Sequence, residues 1–227
     1  MDAPDALASA AAGMRAQADR LDIIAADLAN AGTPGFDAEQ VLGPRFADRF
    51  KAAAELTHVQ GALRPTGVRT DIALSGPGFF AVAAPDGVRY TRDGRLSPDQ
   101  DGSLLDARGH HVLGTLGPVH FPHGAVIDGE GRVVAGGRIV DRLRIVDLTG
   151  RAIRGADGYR AAAPGAALAR ARAQVRAGYL EDSGVNPIAE MTALVAAQRA
   201  FEADQKAAQR ADETLRRAVT DVPAVHP

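Results

Sequence analysis

Apolar side chains recur at helical spacing near the start of the chain. They stand mostly seven residues apart, with alanine and isoleucine on neighbouring positions of the same stripe. This N-terminal seam comprises Leu7, Ala10, Met14, Leu21, Ile24 and Leu28. The spacing predicts one helix over residues 3–30 with a narrow apolar face. We expect the helix to end at Asn30, because two glycines and a proline follow within 31–35 and disfavour its continuation.

A second helical pattern occupies the other end of the chain. Asn186 is a favourable N-cap, Pro187 suits the first helical position, and Glu190 places a negative charge in the first turn. The pattern predicts a helix that continues to about Val219. Its C-terminal seam, at steps of three, four or seven residues, comprises Ile188, Met191, Val195, Gln198, Phe201, Gln205, Ala208, Leu215 and Val219.

The pattern between the helices, over roughly 62–180, consists of short apolar alternations separated by turns. Asp-Gly pairs occur at five places in the chain, and such pairs between extended runs are a strong signal for hairpin turns. The clearest predicted hairpin spans Phe79 to Arg92 and turns at Pro85-Asp86-Gly87. Residues 161–177 are rich in alanine and have no clear strand period, so their state stays open.

The predicted fold class is therefore mixed and mainly β. A central β domain of short strands and hairpins, at 62–182, is flanked by terminal helices that pair as a coiled-coil-like assembly element. Residues 1–36 together with 183–227 form this helical assembly domain, and 37–61 connect it to the β domain. Each helical seam is too thin to stabilise an isolated helix. The seams either pack within the chain or await other copies of it, and periodicity leaves both alternatives open.

Composition and charge limit the classes of partner that we expect for this chain. The formal net charge is -2, and no run of Lys or Arg is long enough to follow a phosphate backbone, so nucleic acid is not an expected partner. No stretch reaches the length of a membrane span, so direct membrane insertion is not expected. Acidic residues near the start and the lack of an apolar run after them predict no cleaved secretory signal. These features alone favour a cytosolic protein.

Candidate chemistry is sparse. Cysteine is absent, which removes disulfides and thiolate sites. His110-His111 and His120 with His123 could suggest a metal, but Pro122 keeps the second pair off one helical face. Asp99, Asp101 and Gly102 resemble the start of a calcium loop with its glycine too early, and a plain turn explains them better. We expect no catalysis, no metal and no cofactor; an enzyme would have to use the histidine region.

Several motifs occur in an order that resembles flagellar rod and hook proteins, over nearly the whole chain. The N-terminal block includes Ala12-Gly13-Met14-Arg15-Ala16-Gln17, Leu28-Ala29-Asn30 and Thr33-Pro34-Gly35-Phe36. The later blocks are Gln60-Gly61-Ala62-Leu63, Asp71-Ile72-Ala73-Leu74 with Gly76-Pro77-Gly78-Phe79-Phe80, Tyr90-Thr91-Arg92-Asp93-Gly94, Gly178-Tyr179-Leu180-Glu181 and Gln198-Arg199-Ala200-Phe201-Glu202. Within the family, the short span between Phe36 and Gln60 resembles proximal rod proteins more than distal rod or hook proteins.

The resemblance implies a structural subunit of the basal-body rod, part of the drive shaft for motility. The implied partners are other copies, other rod proteins and the flagellar type III export apparatus. The implied location is the basal body across the periplasm, which replaces the cytosolic interpretation. Phe46 and Phe50 resemble the export-recognition segment. The implied assembly interfaces are Leu7, Met14, Leu21, Ile24, Leu28 and Asn30 in the first helix, and Ile188, Met191, Val195, Gln198, Phe201 and Leu215 in the second.

Two alternatives remain open. One is a distal rod or hook-type axial protein. The other, from a different class, is a soluble β-domain binding module with a helical dimerisation stalk, which the same periodicities allow. Such a module would form a discrete dimer and would not be required for motility.

Overall fold

A computed structural model describes residues 3–36, 60–149, 152–154, 158–162 and 167–220. The chain divides into two compact units. The helical unit contains the described residues through Ala29 and from Asn186 onward, and the β unit spans Asn30–Val185. The predicted fold class, mainly β with a helix at each end, is confirmed.

The helical unit contains α1 (Ala3–Ala29) and α2 (Pro187–Thr220). α1 ends where predicted, and the Thr33 N–H donates to the Asn30 carbonyl over 2.9 Å in the turn that follows. α2 begins as its sequence predicts, because Asn186 Oδ1 accepts from the N–H groups of Ile188 and Ala189 at 3.1 and 3.3 Å. A side-chain cap of this kind satisfies N–H groups that have no partner within the helix.

The two helices pack along each other, with small side chains at buried positions. Ala10 on α1 and Ala197 on α2 are buried. A Cβ added to Gly13 would lie 2.8 Å from Asp204 Oδ2, so the backbone of α1 comes close to α2 at this point. Close approach of small residues permits pairing of the helices, but each small side chain buries little apolar area.

The β unit is built from short strands. In the described residues they are β1 (Leu63–Pro65), β2 (Ile72–Ser75), β3 (Phe79–Ala84), β4 (Gly87–Thr91), β5 (Ser97–Pro98), β6 (Leu104–Leu105), β7 (His111–Val112), β8 (Val126–Ile127), β9 (Arg132–Ala135), β10 (Arg138–Arg142), β11 (Ile145–Thr149), β12 (Ala152–Arg154), β13 (Arg160–Ala162), β14 (Ala167–Arg170), β15 (Gln174–Ala177) and β16 (Tyr179–Glu181).

Antiparallel pairing organises these strands into sheets. Within the described chain the largest sheet follows the order β12-β13-β4-β3-β7-β6-β5, and β11 joins β3 to β14. A second sheet has the order β10-β9-β8, and β1-β16 and β15-β2 form separate pairs. The predicted hairpin is confirmed, since β3 and β4 pair from Phe80↔Thr91 to Ala84↔Gly87 and leave Pro85-Asp86 at the turn. The alanine-rich tract forms strands β14 and β15.

Two clusters of buried apolar side chains make up the core of the β unit. Phe80 on β3 is fully buried and belongs to a cluster that spans most of the sheets. The cluster comprises Ile72, Leu74, Phe80, Val82, Leu96, Leu104, Val112, Val119, Phe121, Ala125, Ile127, Val133, Leu143, Tyr159 and Val175. β3 is buried on both faces, because Phe80 and Val82 belong to this cluster and the alternate residues Phe79 and Ala81 belong to the second one.

Three turns in the described part of the β unit share one design. Each begins with an aspartate, at Asp99, Asp106 or Asp128, and has a glycine three residues later. The aspartate Oδ1 accepts from the N–H groups two and four residues later over 2.7–3.0 Å. The glycines have φ between 73° and 85°, a region that favours glycine. The faint calcium-loop pattern at Asp99 is therefore one of three aspartate-capped turns.

Candidate functional site

The β unit holds together the residues that follow α1 in the sequence and those that precede α2. The Gly35 N–H donates to the Glu181 carbonyl over 2.7 Å, and the Gly184 N–H donates to the Phe36 carbonyl over 2.9 Å. Phe36 is buried. The two segments that connect the β unit to the helices are therefore bonded to each other instead of running separately.

A buried ion pair lies beside these connections. Arg92 Nη1 is 3.4 Å from Glu181 Oε2, and the two side chains are 0% and 1% exposed. The guanidinium also donates to the carbonyls of Leu74 and Gly76, at 3.3 and 2.6 Å. Glu181 Oε1 accepts from the Gly61 N–H at 3.0 Å. We call this group the clasp; it comprises Gly35, Phe36, Gly61, Leu74, Gly76, Arg92, Glu181 and Gly184.

Glycine is required where the clasp segments touch. Gly35 has φ +65°, and an added Cβ would lie 2.4 Å from the carbonyl carbon and oxygen of Arg92. A Cβ on Gly61 would lie 1.9 Å from the Asp182 carbonyl oxygen. Both contacts are with backbone, which cannot move aside as a flexible side chain could. The motif blocks that carry the family resemblance thus meet in one place, although Gly35 and Glu181 are 146 positions apart in the sequence.

The N-terminal seam has its described members buried or partly buried within the chain. Ile24 is 4% exposed, and Met14, Leu21 and Leu28 are partly buried. Asn30 is also partly buried, and its Oδ1 accepts from the Thr33 hydroxyl at 3.2 Å. The side chain of Leu7 lies outside the described part of α1. Whether this seam contacts other subunits stays a prediction.

The C-terminal seam divides into two faces of α2. Its first residues are exposed: Ile188 at 77%, Met191 at 54% and Val195 at 47%. We call these three, with the exposed Gln198, the α2 stripe. Phe201 is partly buried, in line with Leu194, Ala197, Asp204 and Ala208, which are also buried or partly buried. The centres of the two faces differ by roughly 120° around the axis, since each residue turns the helix by about 100°.

Three further predicted residues cannot be placed. Phe46 and Phe50, the predicted export-recognition pair, lie outside the described residues. The same holds for the side chain of Leu215 in the predicted seam of α2. Their roles stay predictions.

The histidine region forms part of a polar cluster within the β unit. The Tyr159 hydroxyl donates to Asp106 Oδ2 at 2.5 Å, and His110 Nδ1 lies 3.1 Å from the same hydroxyl. Arg108 stacks over the Tyr159 ring at 5.0 Å. Burial, followed by the hydrogen bond to the Asp106 carboxylate, raises the pKa of Tyr159 above its ordinary value. The tyrosine therefore stays a neutral donor that fixes the turn at Asp106.

This cluster borders a small cavity of about 40 Å³ within the β unit. Its lining combines the turn after α1, including Thr33 and Pro34, with Asp93, Arg108 and Tyr159. The described residues contain no group of three or more His, Cys, Asp or Glu side chains that could hold a metal ion. No described helix is long and apolar enough to cross a membrane.

The clasp was not foreseen from the sequence. Arg92 and Glu181 each lie in a recognised motif block, but nothing in their local patterns pairs them, because the contact joins positions 89 residues apart. The aspartate-capped turns had a usable signal. The spacing Asp-x-x-Gly occurs at 99, 106, 128 and 147, so counting it would have located all three turns together with one position, Asp147, that lies in strand β11.

Comparison with known families gives three consecutive matches. A family described as "Flagella basal body rod protein" matches residues 7–36. One described as "Flagellar hook protein FlgE/F/G D1 domain" matches 73–136, and one described as "Flagellar basal body rod FlgEFG protein C-terminal" matches 176–221. The first and last matches cover most of α1 and α2, and the middle one lies within the β unit.

Two rod proteins match this chain over most of their length, and a hook protein matches it over a shorter part. The chain is 34% identical to the flagellar basal-body rod protein FlgF of Caulobacter vibrioides, over 88% of this chain and 90% of that protein. It is 33% identical to FlgF of Escherichia coli, over 86% and 89%. The flagellar hook protein FlgE of Brucella abortus is 37% identical over only 45% of this chain and 29% of its own length.

Proposed function

Because the chain belongs to the family of flagellar basal-body rod proteins, we propose that its helical unit joins it to neighbouring subunits, with the α2 stripe as a contact surface. The chain is a structural subunit of the rod in the flagellar basal body, of the proximal type that the sequence predicts. Because the matches to FlgF cover 86% or more of both proteins, the alternatives, a distal rod or hook-type axial protein and a binding module, are not favoured. Its role in motility follows from its place in the rod.

The observation that carries this proposal is the exposed apolar surface of α2. Ile188, Met191 and Val195 stand at steps of three and four residues and therefore form one continuous strip. Fully burying an aliphatic side chain contributes about 1.5–3 kcal/mol. A polymer that covers the strip gains this free energy at every subunit, whereas a monomer leaves it in water.

Packing of α1 on α2 supports the same role. The pairing orders both helices before a neighbour arrives, so less conformational entropy is lost when subunits join. Ile24 and Leu21, which are buried and partly buried, belong to the part of the N-terminal seam that stabilises this pairing. We propose that Phe201 contributes to the assembly interface from the buried face of α2, and that Leu7 and Leu215 extend the assembly surfaces.

The remaining elements of the proposal concern delivery and location. The chain assembles with other rod and hook proteins, and we propose that the flagellar type III apparatus exports it without a cleaved signal and that it spans part of the periplasm. Phe46 and Phe50 are the proposed recognition residues. Family membership supports this route, and replacing both phenylalanines by alanine should leave the protein in the cytoplasm.

The experiment that tests the assembly surface compares two double variants in a strain that lacks the chain. Met191→Lys/Val195→Lys places charges on the α2 stripe. Ala196→Lys/Ala203→Lys places the same charges on exposed positions of the polar face and serves as the control. Loss of a central contact of about 2 kcal/mol weakens association roughly 30-fold. We expect electron microscopy of basal bodies to show missing or truncated rods with the first variant only.

Circular dichroism of both purified variants should match the parent protein, because all four positions are exposed. Complete rods and normal swimming with the Met191→Lys/Val195→Lys variant would show that the α2 stripe is not an assembly surface. Normal swimming of the strain that lacks the chain would contradict the role in the rod itself.

A further inference from the structure

The ion pair of the clasp is an unusual choice for filling a core. Both side chains are withdrawn from water, with exposures of 0% and 1%. Desolvating two charges is costly, and apolar side chains of similar volume stabilise a core equally well or better in many proteins. Burial of Arg92 and Glu181 therefore calls for an explanation other than stability.

What the ion pair adds is a set of directional hydrogen bonds. The Arg92 guanidinium donates to two carbonyls at the end of β2, and Glu181 accepts from the Gly61 N–H on the opposite side. Arg92 also stacks over the Phe79 ring at 5.3 Å. Hydrogen bonds of charged groups are short-ranged and directional, so these contacts fix the segments in one arrangement, which apolar packing does less strictly.

These side-chain bonds tie Glu181, beside the connection to α2, to Gly61 and to the end of β2, and the connection from α1 is joined to Glu181 through its backbone. Glu181 accepts from Gly35 through its backbone carbonyl while its carboxylate takes part in the ion pair. Gly184 is bonded to Phe36 three residues further on. Gly35 also fits against the Arg92 backbone at a distance that leaves no room for a Cβ. Both connections are thus anchored to the same buried pair.

We infer that the clasp is a positioning element for assembly. It holds the two connections at one fixed spacing, so that a load reaching either helix passes into the β unit through both connections together. Arg92 and Glu181 are positioning residues that act without touching a neighbouring subunit. The mechanical role rests on the proposed function in the rod, whereas the rigidity of the clasp is a property of the isolated chain.

The first test separates rigidity from stability in the purified full-length protein. Arg92→Met/Glu181→Leu replaces the pair by apolar side chains and leaves the Leu74 and Gly76 carbonyls and the Gly61 N–H without these partners, so we expect a lower thermal midpoint. Amide exchange in the core strand β3 measures that global loss. Hydrogen exchange at the Gly35 and Gly184 amides should become at least about tenfold faster than the global loss accounts for, since local opening is set by the contacts that hold those amides. Asp182→Asn breaks the exposed Arg64–Asp182 pair next to the clasp and should leave both readings unchanged.

If the double variant fails to fold, Glu181→Gln replaces it in the same exchange measurement. Glutamine keeps an acceptor for the Gly61 N–H and loses the charge that faces Arg92, so faster exchange is again expected. Unchanged exchange at Gly35 and Gly184 in the variant that folds would overturn the inference. It would show that the Arg92–Glu181 pair only fills space in the core.

The second test measures the mechanical role in cells. A strain carrying the folded variant should swim at less than half the parental speed in viscous medium, while the Asp182→Asn strain swims normally. Swimming at the parental speed, together with faster exchange, would overturn the mechanical role. Failure of the proposed function is distinguishable, because a strain that lacks the chain would then swim normally whatever the exchange rates show.

Discussion

The two units of this chain bury their apolar side chains in different ways. The β unit surrounds a core in which Phe80 and its neighbours are almost fully withdrawn from water. The helical unit has a thin interface of small side chains and leaves Ile188, Met191 and Val195 exposed on α2. The β unit also exposes large apolar side chains, such as Leu116, but the three on α2 lie side by side on one helical face, and a contiguous apolar surface is typical of a contact with a partner. The comparison therefore supports the proposed division, in which the β unit supports the subunit and the helical unit joins it to others.

The chain carries a natural reporter for this comparison. It has three tyrosines and no tryptophan, and Tyr90, Tyr159 and Tyr179 all lie in the β unit. Near-ultraviolet signals therefore report on the β unit, while the far-ultraviolet helical signal reports mainly on α1 and α2.

The largest expected effect comes from the core of the β unit. Phe80→Ala should lower its free energy of unfolding by about 3–5 kcal/mol, because the truncation leaves a cavity at a fully buried position. Denaturant titration followed by the tyrosine signal should show the loss. Val88→Ala on the same hairpin, where the side chain is 42% exposed, should change the midpoint little. Equal losses in the two variants would contradict the assignment of the core.

The helical unit offers the reciprocal test. Leu21→Pro should cost α1 about 3 kcal/mol or more, since proline removes a hydrogen bond and clashes with the preceding turn. We expect the helical signal to fall while the tyrosine transition stays in place. Leu21→Ala, which keeps the helical backbone, is the control. A tyrosine transition that shifts together with the loss of helix would show that the two units unfold as one.

Local signals account for what the sequence predicted well. The cap at Asn186, the exit of α1 at Asn30 and the turn at Pro85-Asp86 depend on a few adjacent residues, and their positions follow from the chain itself. Strands β14 and β15 were not predicted, because alanine has little strand preference and their pairing with β11 and β2 supplies the register.

The candidate site also has features that follow from local sequence and features that depend on how the chain folds. Periodicity located the apolar residues of α2 but merged two faces into one seam, because steps of three and four residues fit both. Which residues face α1 depends on how the helices pack. The clasp depends on contacts between segments that the fold brings together, so its parts were visible as motifs while the Arg92–Glu181 pair was not.

The smallest expected effect concerns the stability of the β unit and how it depends on pH through Tyr159. The pKa of Tyr159 is raised in the folded state. The neutral side chain therefore stabilises the fold fully at pH values below the pKa of the unfolded chain, near 10, and this stabilisation is lost as the pH rises above that value. Tyr159→Phe should cost about 1.5–3 kcal/mol at neutral pH, because the hydrogen bond to the charged Asp106 disappears. Above pH 10 the stability of the variant should fall less steeply than that of the parent. Chemical denaturation from pH 8 to 11 measures both effects, and parallel curves would show that Tyr159 does not resist ionisation.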